Sequence, residues 1–97
     1  MVLANLVFDD EYDSSDLLSV QSEFFNDELK NMIEFNHWAQ DEKNGCFIWF
    51  KGQWACAVNA EEFVRWLNEK FMTSKENEAK IIKKHTRFDP QLPIIEL

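Results

Sequence analysis

The chain has 97 residues, 45% hydrophobic and 14% aromatic, with 18 acidic against 10 basic side chains for a formal charge of -8. That length holds one core and not two, the apolar and aromatic content excludes an unstructured chain, and two Gly with two Pro exclude collagen-like and low-complexity sequence. No apolar run nears the ~18 residues of a membrane helix, and no positive start precedes an apolar stretch, so a cytoplasmic protein without membrane span or secretory signal is expected.

Residues 2–8 (VLANLVF) are short, apolar and bounded by acids, which predicts a buried strand. Residues 9–16 (DDEYDSSD) read as a polar loop. The next segment predicts a helix. Phe25, Leu29, Met32, Ile33 and Asn36 fall on one face, Leu18 extends that face by a heptad, and Phe24, Phe35 and Trp38 form a flanking stripe. Ser22 before Glu23 is one start signal; Ser15 before Asp16 gives a longer helix. Residues 41–45 (DEKNG) end it at a turn or C-cap.

Residues 46–50 (CFIWF) and 54–58 (WACAV) predict a β-hairpin about Lys51 and Gly52. Phe47 and Trp49 point one way, Ile48 and Phe50 the other, so both faces are expected to be covered, by the chain itself or by a partner. A three-residue loop would place Cys46 opposite Cys56 and leave room for a redox pair. A two-residue loop would pair Phe50 with Gln53 and Cys46 with Ala57. Two cysteines are too few for a disulfide scaffold, and their spacing misses the C-x2-C of zinc sites; small buried apolar residues are the simpler reading.

Asn59 followed by Ala60, Glu61 and Glu62 is a helix start of capping-box type, and Ala60, Phe63, Val64, Leu67 and Phe71 line one face. Thr73 to Glu76 repeats the capping spacing, which predicts a further or kinked helix to about His85. On it, Lys80, Lys83, Lys84 and Arg87 would share a face that touches phosphates, or simply complement the helix dipole. Residues 88–97 read as an extended tail in which Ile94, Ile95 and Leu97 add an edge strand. The whole is a single α+β domain over residues 1–97, ordered strand, helix, β-hairpin, helix, which matches the ferredoxin-like βαββαβ pattern in outline.

Charge is polarised along the chain. Residues 1–42 carry 11 acids and one base, Lys30, whereas residues 43–97 carry 7 acids and 9 bases. The acidic half repels nucleic acid and attracts basic protein surfaces, and interleaved aromatics suit an interface. The expected binding residues are Asp9, Asp10, Glu11, Asp13 and Asp16 with Tyr12 as anchor, extended by Glu23, Asp27 and Glu34 along the first helix. The expected partner is a basic nuclease or other nucleic-acid-processing protein. Toxin-immunity and phage anti-defence proteins use this strategy; the likeness is of size and composition alone. The alternatives are a structural or adaptor subunit that oligomerises through Phe47, Trp49 and Trp54, and a nucleic-acid binder using the basic C-terminal segment.

No catalytic motif is found, and no cofactor or metal is expected. Asp9, Glu11 and Asp13 mimic the opening of a calcium loop, but Ser14 and Val20 stand where that loop needs Gly and Glu. His37 and His85, the only histidines, sit where a helix C-terminus favours a cation. A Cys–His nucleophilic pair has no motif behind it.

Overall fold

The computed structural model describes residues 1–8 and 14–97. Among the described residues six strands and two α-helices form in the order β1 (Val2–Val7), β2 (Ser15–Val20), α1 (Glu28–Gln40), β3 (Phe47–Phe50), β4 (Gln53–Cys56), α2 (Ala60–Phe71), β5 (Lys80–Thr86) and β6 (Ile94–Glu96). The α+β class holds, as do a first strand, a helix, a hairpin and a second helix.

The topology is not the ferredoxin-like βαββαβ. The main sheet has the order β5-β2-β1-β6, and β3-β4 stand apart as a two-stranded sheet. The difference comes from two segments expected to be helical or loop. Residues 15–20 form β2, antiparallel to β1 with Ala4 opposite Leu18 and Leu6 opposite Asp16. Leu18 and Val20 alternate onto the core side instead of extending a helix face. Only a 3₁₀ turn, Ser22–Asp27, separates β2 from α1, so Ser22 begins that turn and Asp27 caps the helix.

Residues 80–86 are likewise a strand. The Ser74 hydroxyl and the Asn77 amide make the capping box, but it holds a three-residue 3₁₀ turn, after which the chain extends. β5 pairs with β2 at the sheet edge with register shifts, and its lysines are what an edge strand carries to discourage further pairing. Lys80, Lys83, Lys84 and Arg87 therefore share no helix face. The expected C-terminal edge strand is present: β6 runs parallel to β1, with Ile95 buried beside Leu6.

One face of the main sheet packs on the helices. Ala4, Leu6, Leu18, Val20 and Ile95 meet Phe24, Phe35, Phe63, Trp66 and Leu67. The centre is aromatic: Phe35 lies edge-on to Phe63 at 5.0 Å between ring centres, and Phe24 to Phe63 at 5.6 Å. Such pairs add about 0.5–1.5 kcal/mol each beyond their burial. Asn59 caps α2 as expected, accepting from the Glu62 amide at 3.0 Å, while the Glu62 carboxylate lies 3.3 Å from Arg65. Trp66, absent from the expected face, is buried with Phe63 and Leu67.

From the 3₁₀ turn into α1 the expected face splits: Phe25 and Met32 are half-buried and pack against the core, while the rest of that face stays outside. The flanking stripe is the core: Phe24 and Phe35 are buried, with Asn31 and Ala39, and Trp38 is half-buried. Leu29, Ile33 and Asn36 face outward. Aromatic bulk decides this, because Phe35 and Phe24 fill the space against Phe63 and Trp66 that Leu29 and Ile33 do not reach.

Candidate interaction surfaces

Of the acidic residues singled out, Asp9, Asp10, Glu11, Asp13 and the neighbouring Tyr12 lie outside the described residues. Asp16 is buried at the start of β2, where its Oδ1 accepts from the His85 amide at 3.0 Å. His85 has φ 53°, so the carboxylate holds an irregular turn of the edge strand. Glu23 is exposed on the 3₁₀ turn. Asp27 is exposed and accepts from the Lys30 amide at 3.3 Å. Glu34 is half-buried and forms an ion pair with Lys70 of α2.

Asp27 and Glu34 nevertheless come together. They line a shallow groove along the outer side of α1 with Leu29, Lys30, Ile33 and His37. Leu29 is 74% exposed and Ile33, one turn later, 51%. On the other side of Leu29 a second groove runs to β6, lined by Glu28, Met32, Ile94 and Glu96. The outer side of α1 is thus an apolar ridge with carboxylates on both flanks. Sequence reasoning placed Leu29 and Ile33 in the core; their acidic neighbours were the signal that they face water.

The second surface is the hairpin. Lys51 and Gly52 both have positive φ, 50° and 80°, the backbone of a two-residue turn whose twist matches the strands. This selects the register with Phe50 opposite Gln53 and Trp49 opposite Trp54, and the Ala57 amide donates to the Cys46 carbonyl at 2.7 Å. Cys46 is buried and Cys56 exposed, both as free thiols. The base is fixed: Arg65 donates to the Asn44 carbonyl and lies 4.8 Å over the Trp38 ring.

Towards the tip the hairpin is bare. Phe47 is half-buried, but Trp49 is 62% and Trp54 66% exposed, and Ile48 and Phe50 are about half exposed on the opposite face. The Trp49 and Trp54 rings meet edge-on at 5.3 Å. The expectation that both faces are covered therefore fails for the chain by itself: α1 and α2 bury their aromatics against the main sheet, and none of the described elements closes over the tip.

Lys80, Lys83 and Lys84 are spread along β5 and Arg87 follows its end; Lys84 pairs with Glu61 of α2 at 2.6 Å. That hydrogen bond lowers the Glu61 carboxyl from its ordinary 4.5 and raises the Lys84 ammonium above 10.5. The link is complete between those values. It is lost as pH falls through the lowered carboxyl value or rises through the raised ammonium value. Burial, then the Glu62 charge, pushes the Cys46 thiol above its ordinary 9.0, which keeps it in the neutral form, the opposite of what a nucleophile needs. Among the described residues no three His, Cys, Asp or Glu side chains gather as metal ligands, and no helix is long and apolar enough to cross a membrane. No protein-family model matches the chain, and neither curated proteins nor solved structures give a match.

Proposed function

We propose that the chain is a small non-catalytic protein-binding module of the inhibitor kind, which covers the basic surface of a nucleic-acid-processing protein. Toxin-immunity and phage anti-defence proteins are the analogues in size and charge. The observation that carries this reading is the outer side of α1, where Leu29 and Ile33 stand in water between Asp27, Glu28 and Glu34. An apolar ridge supplies burial on contact, and flanking carboxylates steer the encounter and occupy positions that phosphates would take. The net charge of -8 acts in the same sense. The cytoplasm is the matching setting, since both described cysteines are free thiols.

The test is capture from a lysate of the source cells, with stepwise elution in salt, using the wild type and a Leu29→Ser/Ile33→Ser variant. Both side chains are exposed, so the variant keeps its fold. The expected result is a basic nucleic-acid-processing protein held by the wild type, released as salt rises, and held at least tenfold less by the variant. Equal retention by both proteins contradicts the reading.

A further inference from the structure

The groove between α1 and β6 ends at an open sheet edge. β6 is the last strand in the order β5-β2-β1-β6, so one side of it pairs with β1 and the other pairs with no described strand. The register settles which backbone groups face out. The Pro93 carbonyl accepts from the Asn5 amide at 2.8 Å, and the Leu97 amide donates to the Val7 carbonyl at 2.9 Å. Alternation along the strand turns Ile95 the same way, toward β1, and turns the N–H and C=O of Ile94 away from it. Among the described residues nothing bonds to those two Ile94 groups. An edge of this kind is a template for one more strand.

A strand laid along that edge would also meet α1. Ile95 is buried on the side of the sheet that packs on the helices, so the same side of an added strand faces α1. There Leu29, 74% exposed, and the half-buried Met32 line the groove with Ile94. Apolar side chains on every second residue of the added strand would cover Leu29 and Met32. Charge sets the rest of its chemistry. α1 and β1 both belong to residues 1–42, with 11 acids against one base, and Glu28 lines the groove itself. An acidic segment is repelled there, and a second copy of the chain brings its own acidic half. Nucleic acid has no peptide backbone to continue a sheet. An extended segment that alternates apolar with basic residues satisfies the edge, the groove and the field together.

We propose that the partner protein adds such a basic segment to the open edge of β6 as a fifth strand of the main sheet, seated in the groove beside Leu29 and Met32. The proposal rests on the reading of α1 as the partner-facing side and names how the partner is held. Addition is antiparallel, the more stable pairing. The residue opposite Ile94 then exchanges two backbone hydrogen bonds with it and points its side chain, like that of Ile94, away from the helices. That residue is a basic one, and its apolar neighbours turn toward Leu29 and Met32. Main-chain bonds supply affinity in this mode, and the alternating side chains supply specificity.

A magnetic-resonance titration of the purified chain with a blocked seven-residue peptide alternating valine and lysine tests it. Saturable binding is expected, with exchange of the Ile94 amide hydrogen slowed about tenfold in the complex. The same peptide with glutamate in place of lysine should bind about tenfold more weakly. Methylating the lysine backbone nitrogens should abolish binding, whereas methylating the valine nitrogens should leave it within about twofold. In the chain, Ile94→Pro removes the outward N–H without taking a hydrogen bond from the sheet, and should weaken the peptide about tenfold, while Ile94→Val should not. Circular dichroism confirms that both variants keep the fold. No saturable binding, or binding that tolerates methylation of the lysine nitrogens, overturns the proposal. So does a chain already dimeric with its Ile94 amide protected before peptide is added, which would assign the edge to a second copy. If Leu29→Ser/Ile33→Ser loses the captured partner but the alternating peptide fails to displace that partner from the wild type, strand addition fails and the reading of α1 stands.

Discussion

Asn5 ties the centre of the sheet to the C-terminal segment. Its side-chain amide donates to the Asp89 carbonyl at 2.7 Å, and its Oδ1 accepts from the Asp89 amide at 3.2 Å and lies 3.4 Å from the Ser15 hydroxyl. The side chain is buried on β1, so both polar ends need partners, and the segment before β6 supplies them. Asn5→Ala would leave the Asp89 backbone groups without them, at about 1–3 kcal/mol for each group that water cannot reach. The expected outcome is a loss of about 2–4 kcal/mol in urea unfolding; a loss under about 0.5 kcal/mol would show that Ile95 and the β1–β6 backbone pairing hold the C-terminal segment without the Asn5 side chain. Nothing in VLANLVF announces this role. A lone Asn in an apolar strand reads as a blemish until its partner, 84 positions away, is known.

At the level of elements, α1 carries apolar side chains on two sides, and only one side is core. The spacing of Leu29, Ile33 and Asn36 is as regular as that of Phe24, Asn31 and Phe35, so periodicity alone cannot choose between them. What chooses is what lies opposite, the rings of Phe63 and Trp66 on α2. Phe35→Ala is therefore expected to cost about 3–5 kcal/mol, by lost transfer energy and the cavity left behind. Leu29→Ala, in the same helix, is expected within about 0.5 kcal/mol of wild type. Chemical denaturation of the two variants checks the assignment, and comparable losses would reverse it. The same ambiguity hid two strands. In SDLLSV two alternations are too few to outweigh a preceding serine and a following helix, and KIIKKHT has lysines at helical spacing, which an edge strand also tolerates. The Asn59 cap and the Lys51–Gly52 turn were legible because their signals are local, a side-chain oxygen three residues from its amide and a glycine at positive φ.

For the whole molecule, the pattern is one of separated surfaces: an acidic, apolar-ridged side along α1, an acid-free aromatic hairpin after it, and a lysine-bearing edge at β5. Net charge and the aromatic excess were plain in the composition. Which aromatics stay in water was not, because burial of Phe24, Phe35, Phe63 and Trp66 and exposure of Trp49 and Trp54 depend on which elements meet.

Competition with nucleic acid tests the role of the acidic face most directly. The immobilised chain is loaded with the protein it captures, held at constant low salt, and challenged with excess duplex DNA or RNA. If the chain occupies the phosphate-binding surface of its partner, the partner is released in proportion to the nucleic acid added. A partner that binds the nucleic acid while remaining on the chain would contradict it.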